Sequence, residues 1–314
     1  PGLRRARTSM EPNRLPDRLP DLSALTLKPR EQLTREASNG IYCIDTTDGS
    51  KRGFKIAQLS ECKSSVILVR NAVNITDEEA SELDTFMSDN AKVPPTVNPM
   101  NTNTVLKRKQ ATFGASYAFS GQKVPSFSEG DEWPRAVGKA LAFSKAIATQ
   151  LKCDPELFNA VHTNLYPSGA TGVREHKDEE GEMAEGKPIL SYTLLTGERK
   201  PRAFVISMRE TQKEYVDRLN AKNCELAMQS KTLRKSIDPQ YHEVATVNLN
   251  HNDLLIMQGN MQSKDGYYHS IPEAKPPKEY RNARRLNLTV RAFKSVAVER
   301  VRTVAFKLSI SHTP

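Results

Sequence analysis

A seven-residue segment near the end of the chain constrains the fold more than any other. Residues 285–291 read Arg-Leu-Asn-Leu-Thr-Val-Arg, a strict alternation of polar and apolar side chains. In a β-strand successive side chains point to opposite faces, so Arg285, Asn287, Thr289 and Arg291 would share one face. A surface strand with a charged wet face would show the same alternation. The alternative is an inward face that binds a small anion, because each guanidinium offers a rigid fork of donors to a carboxylate.

Two histidines and an aspartate upstream form a candidate metal site. His176 and Asp178 are two residues apart, which suits the end of a strand where both side chains point the same way, and His269 follows much later. Two neutral imidazoles and one carboxylate leave further positions of a metal open, which is the ligand set of non-haem Fe(II) oxygenases. Each piece alone is a weak signal, because solvated turn residues would look the same. The order of His-x-Asp, His and arginine row is much more specific.

The segment before His176 contributes two more inward candidates. Asn164 and Tyr166 are again two residues apart and can share the inner face of a strand that enters the site. Proline and glycines at 167–172 predict a turn between this strand and the metal ligands. A turn cap for Asn164 and a core aromatic for Tyr166 are the structural alternatives.

In these motifs and in their order, the sequence resembles the AlkB-like 2-oxoglutarate- and Fe(II)-dependent dioxygenases. The resemblance spans roughly residues 64–295. The matching segments are residues 113–121, 164–166, 176–178, 188–194, 252–257, 269 and 285–291. It implies an α+β fold built on a double-stranded β-helix, a jelly roll whose site lies between two sheets, with N-terminal helices that buttress one sheet.

The resemblance also implies the cofactors and their ligands. His176, Asp178 and His269 would bind Fe(II), and 2-oxoglutarate would be the cosubstrate. Its far carboxylate would meet Arg285, and its keto acid end would lie close to Arg291. The full set implied for the cosubstrate is Asn164, Tyr166, Arg285, Asn287 and Arg291.

The implied reaction is oxidative demethylation of N-alkylated bases in single-stranded RNA or DNA, with release of formaldehyde, succinate and CO2. The target base must leave its stack to reach the metal. Phe113 and Tyr117 are candidates to stack on it, and core aromatics are their structural alternative. Glu180 is a candidate to contact a base made cationic by methylation, and a solvated loop glutamate is its alternative.

Two other functions stay open at this stage. One is an AlkB-like dioxygenase that acts on a protein or a small molecule. The other is a non-catalytic RNA-binding module that retains the fold, although binding alone needs neither a metal triad nor an arginine row. Formaldehyde release from a methylated oligonucleotide, compared with a methylated peptide, separates the first two possibilities.

The charge distribution favours a nucleic-acid partner. The chain has a net charge of +9, and residues 275–307 hold ten Lys or Arg against only Glu279 and Glu299. A phosphate backbone would be attracted to such a surface. General solubilising charge is the simpler alternative.

Composition also bounds the environment of the protein. The four cysteines form no CxxC pair, which argues against a zinc site or a disulfide framework and favours a reducing intracellular compartment, cytoplasm or nucleus. No apolar run approaches the length of a membrane span, and a monomer is expected. The chain begins with Pro1, and an origin within a viral replicase polyprotein is an open alternative, because AlkB-like domains occur in such proteins of plant RNA viruses.

The chain is expected to divide into an arm and one domain. Residues 1–55 are predicted to be a basic, largely disordered N-terminal arm. The dioxygenase domain is expected to span residues 56–310. A charged, helix-prone insertion at about residues 209–243 is expected to interrupt its barrel.

Two helices are predicted ahead of the barrel strands. The first begins after a capping box at Thr76 and ends at about Asp89, and a strand over residues 65–73 precedes it. Pro134 is predicted to open the second. Residues 111–133, in which aromatic residues are separated by Gly and Ser, are predicted to form a hairpin lid.

Overall fold

The structure is a computed structural model of the chain. It describes residues 40–45, 51–54, 65–98, 101–115, 118–119, 122–128, 131–178, 183–221, 240–262 and 267–293. The α-helices in this part of the chain are α1 (Asp77–Ser88), α2 (Arg135–Gln150) and α3 (Gln212–Ala221). None of them is both long and apolar enough to cross a membrane.

Seventeen strands are present in the described residues. In chain order they are β1 (Gly40–Asp45), β2 (Lys51–Phe54), β3 (Ser65–Arg70), β4 (Val97–Asn98), β5 (Asn101–Val105), β6 (Lys109–Gly114), β7 (Ala118–Phe119), β8 (Gln122–Lys123), β9 (Ser126–Phe127), β10 (Phe158–Tyr166), β11 (Val173–His176), β12 (Ile189–Gly197), β13 (Arg202–Arg209), β14 (Tyr241–Leu249), β15 (Asp253–Gln258), β16 (Tyr268–Ile271) and β17 (Ala283–Ala292).

Most of these strands form two sheets. The larger has nine strands in the order β2-β1-β3-β15-β12-β17-β10-β6-β9, and the smaller has four in the order β11-β16-β13-β14. Their inner faces meet in one apolar cluster, in which Leu68, Ile189 and Met257 of the large sheet join Phe204 and Ile206 of the small one. The architecture is a mixed fold with large, mainly antiparallel sheets, which confirms the predicted α+β jelly-roll class.

The outer face of the large sheet packs against α1 and α2. Leu83 of α1 and Phe143 of α2 are fully buried in one core with Leu286, Leu288 and Val290 of β17. Removing such side chains from water is the main stabilising contribution to a fold of this kind. The predicted buttressing helices are therefore confirmed.

The start and the end of α1 agree with the prediction from the sequence. Thr76 and Glu79 form the reciprocal capping box that the sequence predicts: the Thr76 hydroxyl accepts from the Glu79 backbone N–H, and the Glu79 carboxylate accepts from that of Thr76. The helix ends at Ser88, close to the predicted end at Asp89. Strand β3 covers the first part of the strand predicted at residues 65–73.

The predicted arm is wrong at its C-terminal end. Strands β1 and β2 lie within residues 1–55, and β1 pairs in parallel with β3 at the edge of the large sheet. The segment Ile-Tyr-Cys-Ile at 41–44 has high β-propensity, but its parallel partner lies more than twenty residues away and leaves no local pattern. Residues 1–39 and 294–310 of the predicted arm and domain lie outside the described residues.

The predicted insertion contains α3, and its two ends are tied together. The buried Glu210 carboxylate accepts hydrogen bonds from the Gln240 backbone N–H at 2.7 Å and from Arg218 of α3 at 2.5 and 3.1 Å. Strands β13 and β14 pair directly on either side of the insertion. The small sheet therefore continues past it, and residues 222–239 lie outside the described part of the chain.

Candidate metal and cosubstrate site

The three predicted metal ligands lie together. His176 ends β11 and is the register partner of His269 on β16, so the two imidazoles are cross-strand neighbours. Asp178 follows two residues after His176. Its Oδ1 lies 3.9 Å from His176 Nε2, and its Oδ2 lies 3.9 Å from His269 Nε2. Among the described residues, this is the cluster in which three such groups could hold one metal ion.

Hydrogen bonding and ring packing orient the two imidazoles. His176 Nδ1 lies 2.8 Å from the Arg174 carbonyl oxygen, which can only accept, so Nδ1 carries the hydrogen and Nε2 keeps its lone pair toward Asp178. The His269 ring stacks on Phe204 with centroids 5.3 Å apart and planes 14° apart. Both rings therefore hold an orientation suited to a shared ligand.

The charge states also suit a divalent metal. Burial lowers the pKa of His269 to about 3, with His176 adding to the effect, and burial lowers the pKa of His176 as well. Burial would raise the pKa of Asp178, but the Arg291 guanidinium and the neighbouring histidines hold it well below its usual range. Neutral imidazoles and an ionised carboxylate are the metal-binding forms, and this donor set fits Fe(II).

The predicted polar row lines the same pocket. Strands β10 and β17 are antiparallel neighbours, and Tyr166 pairs with Arg285 while Asn164 pairs with Asn287. These four residues, with Thr289 and Arg291, line the pocket that also holds the metal ligands. The surface-strand alternative is therefore wrong, because β17 lies inside the fold with both faces buried.

Arg285 is a buried cation with unused donors. Its side chain is 1% exposed, and its Nη2 donates to Thr193 Oγ1 at 3.2 Å. Its Nε and Nη1 have no hydrogen-bond partner among the described residues. Burial lowers the pKa of this guanidinium to about 10, so it stays charged at neutral pH. Buried donors of this kind are costly without a partner, and a carboxylate is the ligand that matches them.

Asn287 bonds to the neighbouring strand β12, and Arg291 bonds to the predicted metal ligand Asp178. The Asn287 amide donates to Ser191 Oγ at 2.8 Å and to the Tyr192 carbonyl at 3.0 Å, which fixes its carbonyl toward Thr289. Arg291 Nη2 lies 2.8 Å from Asp178 Oδ1. The far end of the arginine row therefore reaches a predicted metal ligand.

Of the three candidate substrate residues, the structure describes only Phe113. Phe113 is fully buried and packs on Phe86, Phe127 and Trp133 in the core. This is the core-aromatic alternative, so the stacking role predicted for Phe113 disagrees with its position. Tyr117 and Glu180 lie outside the described residues.

The hairpin lid predicted for residues 111–133 is wrong at its first residues, which belong to a regular strand. Residues 109–114 form β6, a regular strand of the large sheet, and the short hairpin β7–β8 follows it. Because β6 alternates, Ala111 and Phe113 face the core while Gln110 and Thr112 face His162 on the pocket side.

The pocket residues that the sequence did not predict include Arg108, Gln110 and His162. His162 could have been found, because it lies two residues before Asn164 on the same face of one strand. Gln110 is the register partner of Asn164 across β6 and β10, a pairing that no local pattern reveals.

The basic C-terminal stretch is less exposed than its composition suggests. Arg285 and Arg291 are buried in the pocket. Arg284 donates to Asp84 of α1 through Nε and Nη2, at 2.8 and 2.5 Å. Among the described residues of this stretch, the cations on the surface are Lys275, Lys278 and Arg281.

Comparison with known proteins agrees with this geometry. The sequence profile of the 2OG-Fe(II) oxygenase superfamily matches residues 70–291. The DNA oxidative demethylase ALKBH2 of Mus musculus is 27% identical over 189 residues, which cover 59% of this chain and 62% of that protein. The chain thus spans less than two thirds of the length of this curated relative.

A solved structure gives a weaker similarity. It is that of a full-length Neurospora crassa protein in complex with alpha-KG and 5-formyluracil, and it is 11% identical, with a TM-score of 0.35, over 73% of this chain and 74% of that one. That score is too low to support an inference.

The family match covers most of the chain and includes every candidate ligand. The protein therefore belongs to the 2OG-Fe(II) oxygenase superfamily, which implies Fe(II) as the cofactor and 2-oxoglutarate as the cosubstrate.

Proposed function

We propose that this dioxygenase removes methyl groups from N-alkylated bases in single-stranded nucleic acid. Its metal would be held by His176, Asp178 and His269. The observation that carries the proposal is the presence of this triad and of an unsatisfied arginine fork in one pocket, in a chain whose relative is named as a DNA oxidative demethylase.

Arg285 would bind the far carboxylate of 2-oxoglutarate through Nε and Nη1, the two donors for which the described residues offer no acceptor. Tyr166 supports it, because the guanidinium carbon lies 5.1 Å from the centre of the Tyr166 ring. Asn164 and Asn287 would line the path of the cosubstrate, and Arg291 would lie by its keto acid end. These contacts orient the cosubstrate before reaction, which is the main contribution a protein makes to such chemistry.

When bound, Fe(II) and 2-oxoglutarate supply the oxidising power, and 2-oxoglutarate leaves as succinate and CO2. The protein excludes bulk water from this region through the apolar side chains of Phe204, Met257 and Ile271, which line the pocket. Hydroxylation of an N-methyl group gives an unstable N-hydroxymethyl base, which releases formaldehyde and the unmodified base.

The charge of the protein supports a nucleic-acid substrate. The chain has a net charge of +9, and Lys275, Lys278 and Arg281 are exposed cations on the segment that leads into β17. Phosphates would be attracted to this surface. Tyr117 and Glu180 remain our candidates to stack on the base and to contact its positive charge.

The test is formaldehyde release from single-stranded RNA and DNA that carry one N1-methyladenine or N3-methylcytosine, with a methylated peptide as the alternative substrate. We expect release from at least one oligonucleotide and none from the peptide, dependent on added Fe(II) and 2-oxoglutarate. Release from the peptide alone would favour the protein-substrate function. Absence of 2-oxoglutarate turnover with every substrate would favour a binding module.

A further inference from the structure

Arg202 is a buried cation that the proposed reaction does not use. It begins β13, is 1% exposed and does not line the metal pocket. Its hydrogen-bond partners among the described residues are backbone carbonyl oxygens, and no described carboxylate forms an ion pair with it. Burial lowers the pKa of its guanidinium, because a charge held away from water is costly. Its position therefore calls for a reason other than charge pairing.

The carbonyls that this guanidinium binds belong to two loops next to the predicted metal ligands. Nη1 donates to the Ser168 oxygen at 3.3 Å, and Nη2 donates to that of Thr171 at 2.8 Å and to that of Pro272 at 3.2 Å. The first two lie in the turn between β10 and β11, the strand that ends at His176. Pro272 directly follows β16, which contains His269. One side chain therefore joins the segment before one imidazole to the segment after the other.

Strand pairing alone gives His176 little support. Strand β11 has four residues and lies at the edge of the small sheet, where β16 is its neighbour. The register partners are Val173 with Ile271 and His176 with His269, and the register shifts between these two pairs. Such a bulge interrupts the ladder and re-aims the side chains beside it. The position of His176 relative to His269 therefore depends on contacts outside the ladder.

The two loops also fit closely where Arg202 binds them. The Gly169 N–H donates to the Tyr280 carbonyl at 2.8 Å, and the Gly169 carbonyl accepts from the Ala274 N–H at 2.8 Å. At Gly172, a Cβ atom would lie 2.5 Å from the Ile271 carbonyl oxygen, so this approach of backbone to backbone requires glycine. A small displacement of either loop would therefore be passed to the strand that it adjoins.

We propose that Arg202 is a positioning residue for the metal centre, whose guanidinium holds the turn before β11 against the end of β16 and so fixes the separation of His176 and His269. A planar fork of donors suits this task, because it binds carbonyls of two loops at once, whereas lysine has a single nitrogen. The inference rests on the metal site of the proposed function and is independent of its nucleic-acid substrate.

Metal binding by the protein without cosubstrate tests this assignment, and it needs no turnover. The probe is Co(II), which binds a given site somewhat more tightly than Fe(II) and whose visible absorption reports both occupancy and ligand geometry. Asp178→Ala gives the background signal. The variants are Arg202→Met, Arg202→Lys and Gly172→Ala.

Arg218→Met is the matched control. It breaks a buried ion pair with Glu210, which lies just beyond the other end of β13. It should lower the unfolding temperature and keep the native Co(II) affinity and spectrum, because its contacts lie away from the two loops. Thermal unfolding and circular dichroism of every variant, measured without metal, separate stability from metal binding.

In Arg202→Met we expect the Co(II) dissociation constant to rise about tenfold or more, the usual scale for losing a group that orients metal ligands, with a changed visible spectrum. Arg202→Lys should recover only part of the affinity. Gly172→Ala should weaken Co(II) binding as well, because the added methyl group pushes the turn away from β16 and leaves the arginine in place.

Native Co(II) affinity and spectrum in a folded Arg202→Met protein would overturn the inference and leave this residue a role in stability alone. An equal loss of affinity in Arg218→Met would do the same, because metal binding would then follow stability. If Arg202→Met does not fold, native affinity in both Arg202→Lys and Gly172→Ala overturns the inference. A native protein that binds Co(II) no better than Asp178→Ala contradicts the metal site itself, and this result is visible before any other variant is made.

Discussion

The two faces of β17 are buried to nearly the same extent but have opposite chemistry. Leu286, Leu288 and Val290 are fully buried against the helices. On the other face, Arg285 and Arg291 are 1% and 4% exposed. The apolar side chains of β17 pack against other side chains of the core. Arg285, by contrast, has two N–H donors that no described residue accepts.

This difference separates what stabilises the fold from what serves the reaction. Apolar burial is favourable in the absence of any ligand. A buried guanidinium with unmatched donors opposes folding, and it becomes favourable only when an anion arrives. A single strand therefore joins a stabilising face to a face that depends on its ligands.

The largest expected effect comes from removing a metal ligand on the polar side. Asp178→Ala takes away one of three protein ligands, so turnover of 2-oxoglutarate should fall to background. Asp178→Asn is the matched variant, because it keeps the shape and a hydrogen-bond acceptor for Arg291. Succinate release measures activity, and circular dichroism checks the fold. Decarboxylation at the native rate in either variant would show that the ligand assignment is wrong.

On the apolar face, substitution should act on stability alone. Leu288→Ala leaves a cavity in the core and should lower the free energy of unfolding by about 2–5 kcal/mol. Urea unfolding measures this change. Activity per folded molecule should stay near the native value, because the side chain points away from the pocket. An effect on the 2-oxoglutarate requirement would contradict the separation of the two faces.

Arg285→Leu, in contrast to Leu288→Ala, should impair 2-oxoglutarate binding without lowering stability. It removes the fork that meets the far carboxylate, so the apparent 2-oxoglutarate requirement should rise by about tenfold or more, since losing one partner of a buried charge pair costs about 2–5 kcal/mol. Without ligand, the variant should be at least as stable as the native protein, because an unmatched buried cation is gone.

Thermal unfolding with and without 2-oxoglutarate measures both effects of Arg285→Leu, and the stabilisation by ligand should shrink in this variant. Arg285→Lys is the matched control, which keeps the charge but loses the fork. An unchanged saturation curve in Arg285→Leu would move the anchor to Arg291.

The smallest effects are expected at the surface, where Arg281 and Arg284 belong to the same basic stretch but differ in exposure and in partners. Arg281→Gln should weaken binding of any single strand and reduce its salt slope by about one, because one fewer counterion is released. Arg284→Gln breaks the partly exposed pair with Asp84, so it should lower stability by about 1 kcal/mol or less and leave the salt slope unchanged. Equal salt slopes for the two variants would remove this distinction.

Sequence reasoning succeeded where the signal was local. The alternation from Arg285 to Arg291, the His-x-Asp spacing and the capping box at Thr76 are patterns within a few residues, and each is present in the structure. The role of each site residue in binding metal or cosubstrate stays a proposal, as do the monomeric state and the cellular compartment.

It failed where the information lies in pairing between distant segments. Gln110 belongs to the pocket because β6 pairs with β10, and the same register turns Phe113 into the core. A strand pattern shows which residues share a face, but not which face will meet the site. The sequence did not predict strand β1 for the same reason, because β1 is positioned by its pairing with the distant strand β3.

The hydrogen bonds to Glu210 make the small sheet independent of the length of the predicted insertion. Because Gln240 and Arg218 are both held to this one carboxylate, and β13 pairs with β14 beside it, the chain leaves and re-enters the small sheet at a fixed point. Closing a longer loop between fixed ends adds only a slowly growing entropy cost. The number of residues between Arg218 and Gln240 can therefore change at little cost to the pairing of β13 with β14.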